Sequence, residues 1–309
     1  MISSIDPSAD QFLTDLARTQ TKSERAQNQL SSGVKFDEAS DAPDQVSDIL
    51  KLRADIQRNS QISSNLQNVK TEVDAAEQAV QSAVQLVERA RVLAAQGVNG
   101  TQTAQSRLAM AQEVSSLHQQ LVSLSATQVG TSYVFGGDAN QTAPYAFDTA
   151  NPDIGGGVVQ VNTAQATRQI QDPLGSSFVV DRTAQQIFDD QNPPGIPAPD
   201  NAFAAMNQLR VALEANDTVG IQNAETALTQ SGDYLNQQLG FYGAAQNRVA
   251  AATDLSQKMD VNFRSTLGSK QDTDMAQAIL DLNQAQLQEK ASLGARAQVR
   301  KTSLFDYLA

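Results

Sequence analysis

The sequence predicts a mainly α fold. A long antiparallel helical rod is built from both chain halves, with a small β-rich domain inserted in it and a helix flanking it at each terminus. Three observations carry this. Residues 1–130 and 200–309 are rich in Gln and Ala, with apolar residues recurring at helical spacing. The roughly seventy residues between them change to Gly, Pro and β-branched residues. Hydrophobics make up 40% of the chain, yet aromatics are only 5% and Trp is absent. Small apolar residues suit narrow helix–helix seams better than a thick interior.

In chain order, the first segment carries Ile5, Phe12, Leu16, Ala26, Leu30 and Val34 at steps that fit one thin helical stripe, and Gly33 ends it. Pro43 fits the first turn of the next helix, with Ser40 or Asp41 as cap. That helix is expected over about 43–97, with a seam of Ile49, Leu52, Ile56 and, after a stutter, Ile62, Leu66, Val69, Val73, Ala76, Val80, Ala83 and Val87. At 1.5 Å per residue it would be roughly 80 Å long. Gly97 and Gly100 close it. A second helix over about 104–128, with Leu108, Val114, Leu117, Leu121 and Leu124 on one side, is expected to return antiparallel. TSYVFGGDANQTAPYAF then reads as strand and turn, and GGGVVQVN, ATRQIQD and SSFVVDR as short strands. NPPGIPAPD at 192–200 is a linker by composition. Helix resumes near 201 and again over about 221–266 with Leu228, Leu235, Leu239, Tyr242 and Val249. Leu267–Gly268 is expected to hinge. The last segment places Met275, Ile279, Leu282, Leu293 and Leu304 at heptad-compatible spacing.

Composition excludes several function classes. The net charge is −12, from 22 Lys+Arg against 34 Asp+Glu, and no basic cluster of five or more occurs. Neither nucleic acid nor an anionic membrane is therefore an expected partner. Without cysteine there is no disulfide, thiolate metal site or Cys nucleophile. The first thirty residues lack a basic start followed by an apolar run, so a Sec signal peptide is not expected. No stretch of eighteen apolar residues predicts a membrane span.

Candidate chemistry yields to simpler readings. His118, the single histidine, sits mid-helix beside Leu117 and reads as a solvated or seam-edge residue, since a metal site needs several converging ligands. Asp37, Glu38, Asp41, Asp44 and Asp48 lack the glycine and the closing glutamate of a calcium loop and fit helix capping instead. Gly155–Gly156–Gly157 precedes a strand-like run and not a helix, so it reads as a flexible turn and not a phosphate loop. No catalytic, cofactor or metal residue is expected.

Four stretches carry a family resemblance. LSSGVKFDEASDAPDQVSDIL (30–50), TSYVFGGDANQTAPY (131–145), RQIQDPLGSSFVVDRTAQQIF (168–188) and DTDMAQAILDLNQAQLQEKASLGARAQVRKTSLFDYLA (272–309) resemble the flagellin-like axial proteins of bacteria. Within that family the SLFDYL ending is similar to the hook–filament junction members, hook-associated protein 3. The resemblance spans essentially the whole chain. It implies a structural component of the flagellum that joins hook to filament through coiled-coil assembly of its terminal helices into the axial tube. It also implies export by the flagellar type III route after a transient cytoplasmic stage, and partners that include other copies of itself, a neighbouring junction protein, flagellin and a cytoplasmic export chaperone. A short flagellin filament subunit is the alternative within the family. A binding coiled coil would need a convergent polar pocket, and an enzyme a reactive constellation, and the sequence offers neither.

The expected division is an amino-terminal assembly helix over 1–40, rod over 41–139, outer β-rich domain over 140–200, rod over 201–267 and carboxy-terminal assembly helix over 268–309. The expected assembly interface is Phe12, Leu16, Leu30, Met275, Ile279, Leu282, Leu293 and Leu304. The expected rod core is Ile49, Leu52, Ile56, Leu66, Val73, Val80, Val87, Leu117, Leu121, Leu228 and Leu235.

Overall fold

The computed structural model describes residues 7–36 and 43–298. Its helices are α1 (Pro7–Ser32), α2 (Pro43–Val98), α3 (Ala104–Ser125), α4 (Ala184–Phe188), α5 (Ala202–Glu214), α6 (Thr218–Gln271) and α7 (Met275–Gln298). Six short strands pair as three separate antiparallel ladders: β1 (Gln128–Val129) with β2 (Ser132–Tyr133), β3 (Tyr145–Phe147) with β4 (Val158–Gln160), and β5 (Gln169–Gln171) with β6 (Ser177–Val179). The chain forms two compact units, one of residues 59–258 and one of residues 1–58 with 259–309.

In the 59–258 unit, α2 and α6 run antiparallel. Asn59 meets Ser256, Gln246 meets Asp74 and Glu77, and the side chains of Val87 and Glu88 lie beside Gly232. Their buried positions give the reason. On α6, Gly232 apart, they are Ile221, Ala224, Leu228, Ser231, Leu235, Gln238, Tyr242, Ala245, Val249, Ala252 and Ser256, in steps of three and four. On α2 the heptad steps are Leu66, Val69, Val73, Ala76, Val80, Ala83, Val87, Ala90 and Ala94, with Ala79 and Leu93 buried beside them. That is the heptad seam of a two-helix packing. In the interval read from sequence as a stutter, the seam position is Asn59. It is buried and donates from Nδ2 to the Ser256 carbonyl at 2.8 Å, while Ser256 Oγ donates to Asn59 Oδ1 at 3.0 Å. The apolar pattern could not register a seam position filled by a satisfied polar pair.

α3 returns along α2, fastened by Arg89–Glu113 and by Arg107, whose guanidinium donates to the carbonyls of Gly97 and Asn99 and to Asn216 Oδ1. Arg107 is buried and Leu108 is exposed, so the α3 face is rotated from the expected one. α5 packs antiparallel on α3 with close backbone approach, which the buried Ala111, Ala205 and Ala212 permit. Asn201 caps α5, and Thr183 with Gln186 forms a capping box on α4.

The three ladders have no separate interior. Phe135, Tyr145, Ile170, Phe178, Ile187 and Phe188 belong to one core with Phe203, Met206 and Leu209 of α5 and the α2–α6 seam. Phe135 packs edge-on against Phe188 and Tyr242, and Arg248 lies over the Phe178 ring. The turn read from sequence as flexible makes several hydrogen bonds. Gly155 and Gly157 have positive φ, Asn207 Nδ2 donates to the Gly155 carbonyl, and Arg210 donates to Pro152 O and Asp153 Oδ1. A Cβ on Gly157 would lie 2.8 Å from Pro152 O.

Candidate assembly surface

The unit of residues 1–58 and 259–309 is built around α1 and α7, which run antiparallel. Gln20 meets Glu289, and Arg296 lies 5.5 Å over the Phe12 ring. Gly33, at φ +72, stops α1 as its lack of Cβ allows. The expected hinge at Gly268 is absent: α6 runs through it to Gln271. A helical glycine costs only about 1 kcal/mol, and the break falls instead in the polar Asp272–Thr273–Asp274 run, where Asp274 Oδ1 accepts from the N–H groups of Ala276 and Gln277 to start α7. Lys35 N donates to Gln271 O at 2.7 Å and Thr273 N to Gly33 O at 3.0 Å, which joins the two turns. Lys270–Asp48 and Arg53–Gln271 tie the ends of α2 and α6 beside them.

The α1–α7 seam is made of alanines. Among the described residues, Ala26, Ala278 and Ala285 are the buried apolar residues of these two helices. Phe12, Leu16, Leu30 and Leu282 are half-buried on the flanks of that seam. Met275, Ile279 and Leu293 are each about half exposed, and Leu304 lies outside the described residues. The sequence reading included Ala26 in its stripe but, weighting large residues, passed over Ala278 and Ala285, although Ala278, Leu282 and Ala285 step by four and three.

α7 has a second apolar strip that the sequence reading missed. Leu280 and Leu287, one heptad apart, are 61% and 69% exposed on the side away from Ala278 and Ala285. The helix therefore carries two apolar faces, one closed on α1 and one exposed. Leu13 on α1, Leu50 on α2 and Val261 on α6 are further exposed aliphatics in this unit.

Of the expected rod core, Leu66, Val73, Val80, Val87, Leu117, Leu121, Leu228 and Leu235 are buried in the 59–258 unit. Ile49 is buried in the other unit, while Leu52 and Ile56 are half-buried there.

His118 is not solvated or at a seam edge. It is fully buried, edge-on to Phe147 at 5.4 Å and tilted to Phe203 at 6.2 Å. Burial first, and the Arg210 charge second, lower its pKa from 6.5 to about 4. The Gly156 backbone opposes that shift weakly, and neither ring nitrogen makes a hydrogen bond of good geometry. Of the acidic run, Asp37, Glu38 and Asp41 lie outside the described residues, and Asp48 pairs with Lys270 at 2.6 Å. Among the described residues no group of three or more His, Cys, Asp or Glu could hold a metal ion, and no helix is long and apolar enough to cross a membrane.

Long antiparallel helices, with a terminal helix pair that packs through alanines and exposes Leu280 and Leu287, define a mainly α protein of the long-helix class. Comparison with known proteins specifies which kind. The bacterial flagellin N-terminal helical region matches residues 6–140, and the bacterial flagellin C-terminal helical region matches residues 221–308. The chain belongs to the flagellin-like family of bacterial axial proteins. It is 25% identical over 269 residues to the flagellar filament 30.7 kDa core protein of Treponema maltophilum, covering 87% of this chain and 85% of that one. It is 24% identical over 262 residues to flagellar hook-associated protein 3 of Escherichia coli (strain K12), covering 82% and 79%. The fold matches a solved structure from Vibrio parahaemolyticus described as flagellar hook-associated, with a TM-score of 0.63 at 19% identity over 75% of this chain and all of that one.

Proposed function

We propose that this chain is a structural component of the bacterial flagellum that joins hook to filament. Its terminal helices assemble into the axial tube, outside the cell. The observation that carries the reading is the doubly apolar α7: one face closes on α1 and the other, at Leu280 and Leu287, awaits a neighbouring subunit. The resemblance of the ending SLFDYLA (303–309) to junction members, and the likeness to hook-associated protein 3, select the junction over other axial positions. The mechanism is lattice adaptation by packing, and it requires no catalysis or cofactor.

The proposed division is two assembly helices at 1–40 and 268–309, a rod at 41–139 and 201–267, and an outward β-rich portion at 140–200. The proposed partners are further copies of the chain, an adjacent junction protein and flagellin, with a cytoplasmic chaperone covering the carboxy-terminal seam before type III export. An uncovered apolar helix invites premature association, which gives such a chaperone its physical purpose.

Electron microscopy tests the reading directly. The purified chain is added to hook fragments and then given flagellin. A junction protein decorates hook ends, fails to grow long filaments alone and is required for filament growth from those ends. The likeness to a Treponema filament core protein supports a second reading, a short filament subunit. Long filaments formed by the chain alone would establish that reading and remove the first.

A further inference from the structure

We infer that the α1–α7 cleft is a docking site for the acid-rich stretch 37–48 of a second copy of this chain. The inference rests on the assembly reading above and deepens it to named charges. Every base of α1 falls on one flank: Arg18, Lys22 and Arg25 step by four and three, with Asp15 heading the row and Gln29 ending it. All three bases are exposed. Neither Arg18 nor Lys22 forms an ion pair among the described residues. In a chain of net charge −12, this row puts three bases on one flank of one helix.

The row borders a cavity of about 340 Å³. Lys22 and Arg25 form one wall, and Asp281, Gln284 and Gln288 the other. Ala26 and Ala285 form the floor, and their short side chains are what leave the space open. Gln277 Nε2 donates to Asp281 Oδ1 at 2.9 Å, which engages the one acid in the cleft. The cleft is therefore shallow, amide-lined and positive on one side. It suits carboxylate side chains presented on an adjoining backbone.

The sequence holds a matching occupant. Residues 37–48 contain Asp37, Glu38, Asp41, Asp44 and Asp48 and no base. Asp48 is paired with Lys270, so Asp37, Glu38, Asp41 and Asp44 are the acids proposed to meet the neighbour. The apolar strip of Leu280 and Leu287 lies on the same helix as the Gln wall, so one neighbour could cover both. Charges at the edge of an apolar contact set register and partner choice more than affinity. Exposed pairs are each worth little, so two or three together should change association about five- to tenfold at low salt.

The absence of native cysteine makes engineered cysteines a clean reporter. The full-length Lys22→Cys chain is mixed with a longer-tagged Asp41→Cys chain, allowed to assemble and oxidised. A Val261→Cys chain replaces Lys22→Cys as control, and sedimentation confirms assembly in each mixture. The expected result is a disulfide-linked species of mixed mass, about tenfold above the control. In parallel, Arg18→Glu with Lys22→Glu should weaken assembly about five- to tenfold at low salt, and mixing with an Asp41→Lys, Asp44→Lys chain should restore it. Assembly without the mixed disulfide overturns the docking site while leaving the junction reading intact. So does a disulfide that forms only when both cysteines share one chain. Failure of the unmodified chain to associate with itself, hook or flagellin overturns the junction reading and this inference together.

Discussion

His118 gives a quantitative test of how the core of the 59–258 unit is built. The perturbation is pH, compared between the native chain and His118→Leu. The folded pKa is about 4 against 6.5 for an unburied histidine, because burial and then Arg210 disfavour the cation. The unfolded chain therefore binds more protons than the folded one between these values, and stability rises with pH there. The contribution is complete above pH 6.5, is lost as pH falls, and levels off below about 4. Between pH 7.5 and 4.5 the loss is roughly 2.5 kcal/mol, at 1.36 kcal/mol per unit. Asp181 works in the opposite direction. Burial first raises its carboxyl to about 6, against hydrogen bonding from the Arg168 backbone. Its folded state holds the proton more tightly, so it favours the fold at low pH and loses that contribution as pH rises through 6. The two effects partly cancel in the native chain and conceal each other. Asp181 is present in both chains, so the difference between them isolates His118. Urea unfolding at several pH values, followed by circular dichroism, supplies that difference. His118→Leu should lose less stability than the native chain by about 2.5 kcal/mol over this range, on top of a constant packing offset. Parallel profiles, agreeing within about 0.5 kcal/mol across the range, would refute the account of a neutral, unpaired histidine in an aromatic core.

Other substitutions follow from the seams. Val80→Asp places an uncompensated charge at a fully buried seam position and should destabilise the chain by about 3–5 kcal/mol in denaturant unfolding. Asn59→Ala should cost about 1–3 kcal/mol by stranding the buried Ser256 hydroxyl, whereas Asn59→Leu combined with Ser256→Ala should recover stability and lose fixed register, read as two populations in cysteine cross-linking between α2 and α6. Leu293→Asp, at a half-exposed site, should leave the far-ultraviolet spectrum and melting of the chain within about 0.5 kcal/mol of native yet abolish sedimentable assemblies. If it unfolds the chain instead, the terminal helices serve the fold more than the assembly.

The sequence determined the helices because helix signals are local. Heptad steps over Leu66–Val87 and Leu228–Val249, Pro43 at a first turn and Gly33 at an end are all read within a few residues. The same holds for the family, whose marks sit in order along the chain. What tertiary structure decided depends on partners distant in sequence. Asn59 can fill a seam only because Ser256, 197 residues away, satisfies it. His118 is interior because α5 and β3 close over it, which its own helix does not announce. The glycine turn is hydrogen-bonded by Asn207 and Arg210 of a distant helix. α6 crosses Gly268 because a single glycine costs too little to break a helix whose next residues continue it. Alanine is equally at home inside and outside, so only the pairing of α1 with α7 revealed that Ala26, Ala278 and Ala285 form their seam and that Leu280 and Leu287 face outward. Periodicity names the faces of a helix, and the neighbour it meets decides which of them is the core.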